Sequence, residues 1–299
     1  MAIWGIDLGG TKIEGIILSS LQDTEPIVRH RIATEGEKGY DHVLDRINQV
    51  LIALKEASGL TPDRIGICTP GVLDPRTQTM KNCNSTSLNG KPMLTDLERK
   101  LGLPVVLAND ANCFALAETH LGAIRRQAPG ARAVFGIIMG TGVGGGFVMD
   151  GKIWNGKHGI GGEWGHNFLD ETGGPCYCGR SGCVETVLAG PSLESYYKEQ
   201  SGQSKNLRQI NQDQLTDPYA ATTMQRLYEQ FGKALSVVIN IIDPDAIVIG
   251  GGVGNIDALY TRGREALAKY IFNDRVEVPI LKPLLGDSAG VFGAAALVV

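Results

Sequence analysis

Residues 3–6 form an apolar run, Gly9-Gly10-Thr11 breaks it, and a second apolar run follows over 13–18. This pattern predicts strand, tight turn, strand. Over 40–58, Val43, Leu44, Ile47, Val50, Leu51 and Leu54 recur at the three- and four-residue spacing of an amphipathic helix. Short apolar runs at 65–68 and 105–108 predict buried strands, the first ending at Pro70-Gly71 and the second passing into a helical pattern that reaches Glu118. Residues 134–152 repeat the opening design, with Gly140-Thr141-Gly142 between two apolar runs and an Asp150-Gly151 turn after them. A helix predicted over 220–242 leads to a strand at 246–249 that ends in Gly250-Gly251-Gly252. The polar stretch 200–214 reads as loop or surface helix. Strands alternating with helices give an α/β class, and the two like hairpins suggest a duplicated core divided near residue 118.

The hairpin tips carry the first chemistry. Backbone N–H groups at Gly9, Gly10 and Thr11, with the Thr11 hydroxyl and the Lys12 charge, can form a small anion-binding concavity. A lone GGT would read as a structural turn; its recurrence at Gly140, Thr141 and Gly142 and the glycine shelf at Gly250, Gly251 and Gly252 fit a nucleotide. Thr11-Lys12 has the wrong order for a P-loop, and no helix follows. Gly140, Gly142 and Gly145 match a dinucleotide fingerprint formally, but a strand follows them too.

Asn109-Asp110-Ala111-Asn112 stands directly after a buried strand, where ligands gather in open α/β sheets. Phosphoryl transfer needs a carboxylate to accept the hydroxyl proton, and Asp110 is the candidate base, with helix capping as its structural alternative. Asp7 is the candidate indirect Mg²⁺ partner, with turn stabilisation as its alternative.

The chain has 299 residues, a formal charge of -4 and no Lys/Arg run. Small molecules or proteins, and not nucleic acid or a membrane, are therefore its expected partners. With no apolar window long enough to span a bilayer, and Asp7 and Lys12 interrupting the N-terminal run, a cytoplasmic location is expected. Three of the six cysteines, Cys176, Cys178 and Cys183, lie close together downstream of His166. One imidazole and three thiolates form a structural Zn²⁺ set, with a redox-labile cluster or ordinary buried thiols as alternatives. His158 reads as a solvated loop residue. Glu163 and Glu185 flank the cluster, and with Asn84, Asn109, Asp110 and His166 they could hold the hydroxyls of a sugar. Singly, each acid would read as a salt-bridge or surface residue.

Together these motifs resemble the ROK (repressor, open reading frame, kinase) sugar kinases over nearly the whole length. Asp7 to Lys12 resembles the family's first phosphate motif, Gly140 to Gly146 the second, and Gly250-Gly251-Gly252 its adenosine-side turn. Asn109 to Asn112 resembles the catalytic motif, Glu163-Trp164-Gly165-His166 the sugar motif, and Cys176 through Glu185 the zinc and sugar signature. The resemblance implies an actin/hexokinase-like (ribonuclease H-like) fold of two α/β lobes. The expected lobes are 1–118, completed by a C-terminal helix over about 287–299, and a larger 119–286 lobe with the zinc loop. It also implies a homodimer, and transfer from Mg²⁺-ATP to a hexose hydroxyl, usually the 6-hydroxyl. The family's repressors carry an N-terminal helix-turn-helix, for which a strand starting at Ala2 leaves no room. The run 81–93, with Asn82 and Asn84, and the "PCYCG" run look most like the fructokinase/mannokinase branch. Fructose or mannose is thus the expected sugar, N-acetylglucosamine or N-acetylmannosamine the alternative, and a sugar sensor the non-enzymatic reading.

Overall fold

A computed structural model describes residues 2–299. The chain divides into two compact units: the first comprises residues 1–130, 146–161 and 284–299, the second 131–145 and 162–283. The division expected at residue 118 differs from this in two ways. The first unit runs on to Gly130, and it takes back residues 146–161 from the middle of the chain.

The first unit is built on a five-stranded sheet in the order β3-β2-β1-β4-β7. Its strands are β1 (Ile3–Leu8), β2 (Lys12–Leu18), β3 (Val28–Ala33), β4 (Ile65–Thr69) and β7 (Val105–Asn109), with a small separate ladder of β5 (Val72–Leu73) and β6 (Met80–Lys81). β1 pairs antiparallel with β2 and parallel with β4, which pairs parallel with β7. Helix α1 (Tyr40–Ser58) buries all six apolar positions of its predicted stripe and stops at Gly59, whose left-handed backbone donates to Lys55 O. Val50 and Leu54 of α1 pack over Gly15 on one face of the sheet. The other face carries α11 (Ala289–Ala296) at very close range: a Cβ on Gly66 would overlap Ala294 O. Helices α2 (Met93–Leu101), α3 (Asp110–His120) and α4 (Ala123–Gln127) complete the unit. The fully buried Glu118 of α3 ties the returning chain down, accepting from Leu284 N, Leu285 N and Ala123 N.

The second sheet has the matching order β10-β9-β8-β11-β12, formed by β8 (Ala133–Met139), β9 (Val143–Met149), β10 (Lys152–Ile153), β11 (Ala246–Gly250) and β12 (Ile280–Leu281). The chain crosses from the second unit to the first within β9. In both sheets a hairpin with a glycine tip leads to a parallel neighbour, β4 beside β1 and β11 beside β8. The second unit also holds α5 (Val184–Leu188), α6 (Gly190–Ser201), α7 (Leu207–Asp213), α8 (Pro218–Ile242), α9 (Gly251–Gly254) and α10 (Arg262–Leu267). Helix α8 begins where Asp217 accepts from Tyr219 N and Ala220 N with Pro218 in the first turn, a start signal two residues upstream of the predicted boundary. The stretch expected to be loop or surface helix contains α7, opened by a capping box between Asn206 and Gln209. All six cysteines are free, and among the described residues no helix is long and apolar enough to cross a membrane.

Candidate active site

Parallel pairing aligns Asp7 with Cys68 and Thr69 with Asn109, so the carboxyl ends of β1, β4 and β7 assemble one acidic edge in the first unit. Asn109 is the cap of α3: its side-chain oxygen accepts from Asn112 N at 2.9 Å. The capping role weighed for Asp110 therefore belongs to its neighbour. Asp110 is the first residue of the helix, its Oδ1 accepting from Ala111 N at 2.8 Å; the residue is exposed to solvent, while its carboxyl end is closely surrounded by protein. Burial pushes the Asp110 carboxyl above the usual carboxylate range. Asp7 is raised too, mainly by burial and further by the Asp110 charge, against a hydrogen bond from the Cys68 thiol.

The first tip is a fixed turn. Gly9 N donates to Lys12 O at 3.0 Å, Thr34 N to Thr11 O at 3.0 Å, and the Thr34 hydroxyl to Gly9 O at 2.7 Å. No atom lies within 4 Å of where a Gly10 Cβ would stand. A cavity of about 450 Å³ adjoins Gly10 and is lined by Leu8, Thr34, Glu37, Asn84 and Thr86 among others.

In the second unit a cavity of about 780 Å³ brings together Gly140, Thr141, Gly190, Glu194, Asn206 and Gly252. A Cβ on Gly140 would stand 3.8 Å from Gly252 N, and one on Gly252 would meet nothing within 4 Å. Of the expected three-glycine shelf, only Gly252 lines this space. Gly250 ends β11, and Gly251, with φ of 85°, packs against the Met139 backbone where a side chain has no room. Gly142 serves a different neighbour: Glu185 Oε2 accepts from Val143 N at 3.0 Å and lies 2.7 Å from the position of a Gly142 Cβ. Bare backbone at the second tip thus holds the Glu185 carboxylate in place.

The outer wall of this cavity was not anticipated. Glu194, Asn206, Arg208 and Asn211 line it from α6 and the start of α7, and Glu194 Oε1 fixes the junction by accepting from Leu207 N at 2.8 Å. The signal available was the N-x-x-Q capping box inside a polar stretch.

His166 closes a short 3-10 turn, Trp164–His166, which also follows Glu163. Trp164 is buried and donates through Nε1 to Gly144 O at 3.2 Å, anchoring the turn to β9. The ligand atoms of His166, Cys176, Cys178 and Cys183 all lie within 4.8 Å of one another. Cys176 Sγ is 3.6 Å from His166 Nδ1, and Cys178 Sγ is 3.6 Å from Cys183 Sγ. A tetrahedral Zn²⁺ with bonds of about 2.0–2.3 Å places its ligands roughly 3.5–3.8 Å apart, so the donor set fits that ion. His166 Nε2 faces away from the cysteines to Tyr177 OH at 2.9 Å. Partial burial and the charges of Glu185 and Glu163 push the Tyr177 phenol up to about 12. Hence His166 and Tyr177 meet beside the cysteines, Glu163 precedes the turn that His166 closes and Glu185 is held at the second tip, all in the second unit, while Asn84, Asn109 and Asp110 belong to the first.

The sequence matches the profile described as the ROK family over residues 3–299. An N-acetyl-D-glucosamine kinase of Haemophilus influenzae is 34% identical, with 98% of each chain aligned. Among solved structures, a ROK hexokinase from Thermus thermophilus superposes with a TM-score of 0.88 at 31% identity, covering 99% of this chain and 97% of that one. A ROK family glucokinase from Streptomyces griseus, in complex with glucose and AMPPNP, gives 0.78 at 27% identity with 99% of both chains covered. The two-unit α/β structure is an actin/hexokinase-like fold, and the chain belongs to the ROK family.

Proposed function

We propose that this protein is an ATP-dependent sugar kinase whose acceptor is an N-acetylhexosamine, N-acetylglucosamine first, phosphorylated at its 6-hydroxyl. The sugar differs from the fructose or mannose expected from the sequence. Full-length relatives at 32–34% identity carry the name N-acetyl-D-glucosamine kinase, and that supports the alternative. Two of the features behind the fructose or mannose expectation have other roles. In the "PCYCG" run, Cys176 and Cys178 are metal-ligand candidates and answer to the ion. Asn82 is an exposed turn residue with φ of 57°.

In this reading Asp110 is the base. Its raised carboxyl and placement beyond a parallel strand suit acceptance of the sugar hydroxyl's proton as the phosphoryl group departs from ATP. That placement, with the cap already supplied by Asn109, is the observation that carries the proposal. In the first unit Gly10 and Thr11, with the Lys12 charge, and in the second unit Thr141 and Gly142 offer donors to phosphates, while the Gly9 and Gly140 N–H groups close their own turns onto Lys12 O and Gly142 O. The space beside Gly252 receives the nucleoside. Mg²⁺ on the phosphates would neutralise charge developing in transfer, and Asp7 would hold it through water. Glu163, His166 and Glu185 of the second unit orient sugar hydroxyls, and Asn84 and Asn109 are the hydroxyl-binding candidates of the first. Zn²⁺ on His166, Cys176, Cys178 and Cys183 would be structural, since four protein ligands leave no open position.

The test is Asp110→Asn. Turnover should fall at least about 100-fold, the range of general-base loss, while calorimetric sugar binding stays near wild type. Unchanged turnover would remove Asp110 as base, whereas sugar binding by the wild type without turnover would favour the sugar-sensing reading.

A further inference from the structure

The wall formed by α6 and the start of α7 belongs to no motif read from the sequence, yet it lines the cavity assigned to the nucleoside. Among the described residues, Glu194 is the one acidic side chain of that lining, and it is half-buried. Its Oε1 accepts from Leu207 N at 2.8 Å, which ties the carboxylate to the head of α7. Its Oε2 has no hydrogen-bond or ion-pair partner among the described residues. An ionised carboxylate only accepts, so Oε2 is left for a donor carried by a ligand.

Position along the helix says which part of a nucleotide carries that donor. Gly190 opens α6, and its N–H donates to Gly140 O at 2.8 Å, so the helix starts at the second glycine tip, where the phosphates are placed. Glu194 follows four residues later, on the same helix face and about 6 Å further along the axis. The group next to the phosphates along a nucleotide is its ribose, whose two hydroxyls are donors that a carboxylate oxygen can take. The rest of the wall suits the base beyond. Asn206 and Asn211 use their Oδ1 atoms on Gln209 N and Gln214 Nε2, which leaves their amide N–H groups for ring nitrogens. Val253 and Ile256 add apolar lining.

We propose that Glu194 is a specificity-determining residue that recognises the ribose of the phosphoryl donor, Oε2 accepting from the 2′- or 3′-hydroxyl. A hydrogen bond to an ionised acceptor is stronger than one between neutral groups. Because Leu207 N already holds Oε1, the carboxylate is oriented before the nucleotide arrives and loses little freedom on binding. Sites that hydrogen-bond a substrate hydroxyl reject the analogue lacking it strongly, so this wall distinguishes ribonucleotides from deoxyribonucleotides. The inference rests on the reading that the space beside Gly252 receives the nucleoside.

The experiment measures the calorimetric Kd of ATP, 2′-deoxy-ATP and 3′-deoxy-ATP, each with Mg²⁺, on wild type and on Glu194→Gln. The amide keeps an oxygen for Leu207 N and puts a donor where Oε2 accepts, so the melting temperature should stay near wild type. Wild type should bind ATP at least about 10-fold more tightly than one of the two deoxy analogues, the loss of one hydrogen bond to a charged group. The variant should lose about 10-fold for ATP and less than about 3-fold for that same analogue, a difference that a merely structural role would not produce. Equal losses on all three nucleotides, no loss on ATP, or no discrimination by wild type overturns the role of Glu194 and leaves the kinase reading intact. Failure of wild type to bind ATP overturns the kinase reading and this inference together.

Discussion

At the residue scale, two groups have behaviour set by what surrounds them. Asp110 has its carboxyl raised by burial. Below the unfolded value of about 3.9 both states are protonated, and the stabilisation is fully present. It is lost as pH rises through the folded value, so at neutral pH the ionised carboxylate costs the folded state stability. Asp110→Asn should therefore melt above wild type at pH 7, with the gap closing as pH falls toward 4. A lower melting temperature for the variant at pH 7 would show the carboxylate to be stabilising. The same shift moves the acid limb of kcat/KM upward from the ordinary carboxylate range in wild type. Gly252 is the second case. A methyl there meets no protein atom within 4 Å but projects into the cavity assigned to the nucleoside. Gly252→Ala should raise the KM for ATP about 10-fold, from loss of a close fit, with sugar KM and melting temperature near wild type; an unchanged ATP KM would move the nucleotide elsewhere.

At the element scale, what was legible in the sequence follows from pattern strength. Helix α1 and strands β1, β2, β4, β7 and β11 emerged because their apolar periods are unbroken. Strand β3 was missed. Its sequence VRHRIA alternates on an exposed edge, and Arg29 and Arg31 pair with the buried Glu14. A strand that gives half its positions to Arg and His sends a weak apolar signal. The glycine tips were legible because bare backbone is their function, whereas the α6–α7 wall depends on which helix face tertiary packing turns toward the cavity. The cysteine loop was legible from spacing, and its behaviour can be tested. Residues 169–170 are tied to α8 by Lys233 Nζ to Leu169 O at 3.0 Å and Gln230 to Asp170 at 3.1 Å. Residues 174–181 are held by their own turns, such as Cys176 N to Arg180 O, and the segment is tied outward at its end, where Gly182 O accepts from Leu169 N and Asp170 N. Chelation of zinc should raise hydrogen exchange in 174–183 at least about 10-fold and leave α8 unchanged, as expected of a local opening. Exchange unaltered by chelation would contradict a structural ion there.

At the scale of the whole molecule, the repeated hairpin read from the sequence corresponds to two five-stranded sheets of the same order, each with a glycine tip beside its first parallel neighbour. The chain's path was less legible: the crossing of β9 between units was not expected, and the return of the C-terminal helix to the first unit, where α11 lies against Gly66, was expected from the family resemblance alone. Such returns leave no local pattern, because an Ala- and Gly-rich helix such as α11 is apolar on every side and specifies no partner. Substrate choice was the least legible property. The residues that set it are few and scattered, and of the two runs that suggested fructose or mannose, the "PCYCG" run supplies two candidate metal ligands.

The central claim is that this ROK protein transfers phosphate to an acetamido sugar. The most direct measurement is ADP release with Mg²⁺-ATP and, in turn, N-acetylglucosamine, N-acetylmannosamine, glucose, mannose and fructose at matched concentrations. The account predicts the highest kcat/KM on N-acetylglucosamine, at least about 10-fold above fructose or mannose, a margin one well-placed hydrogen bond supplies. A preference for fructose or mannose, or no ADP release with any of the five, would contradict it.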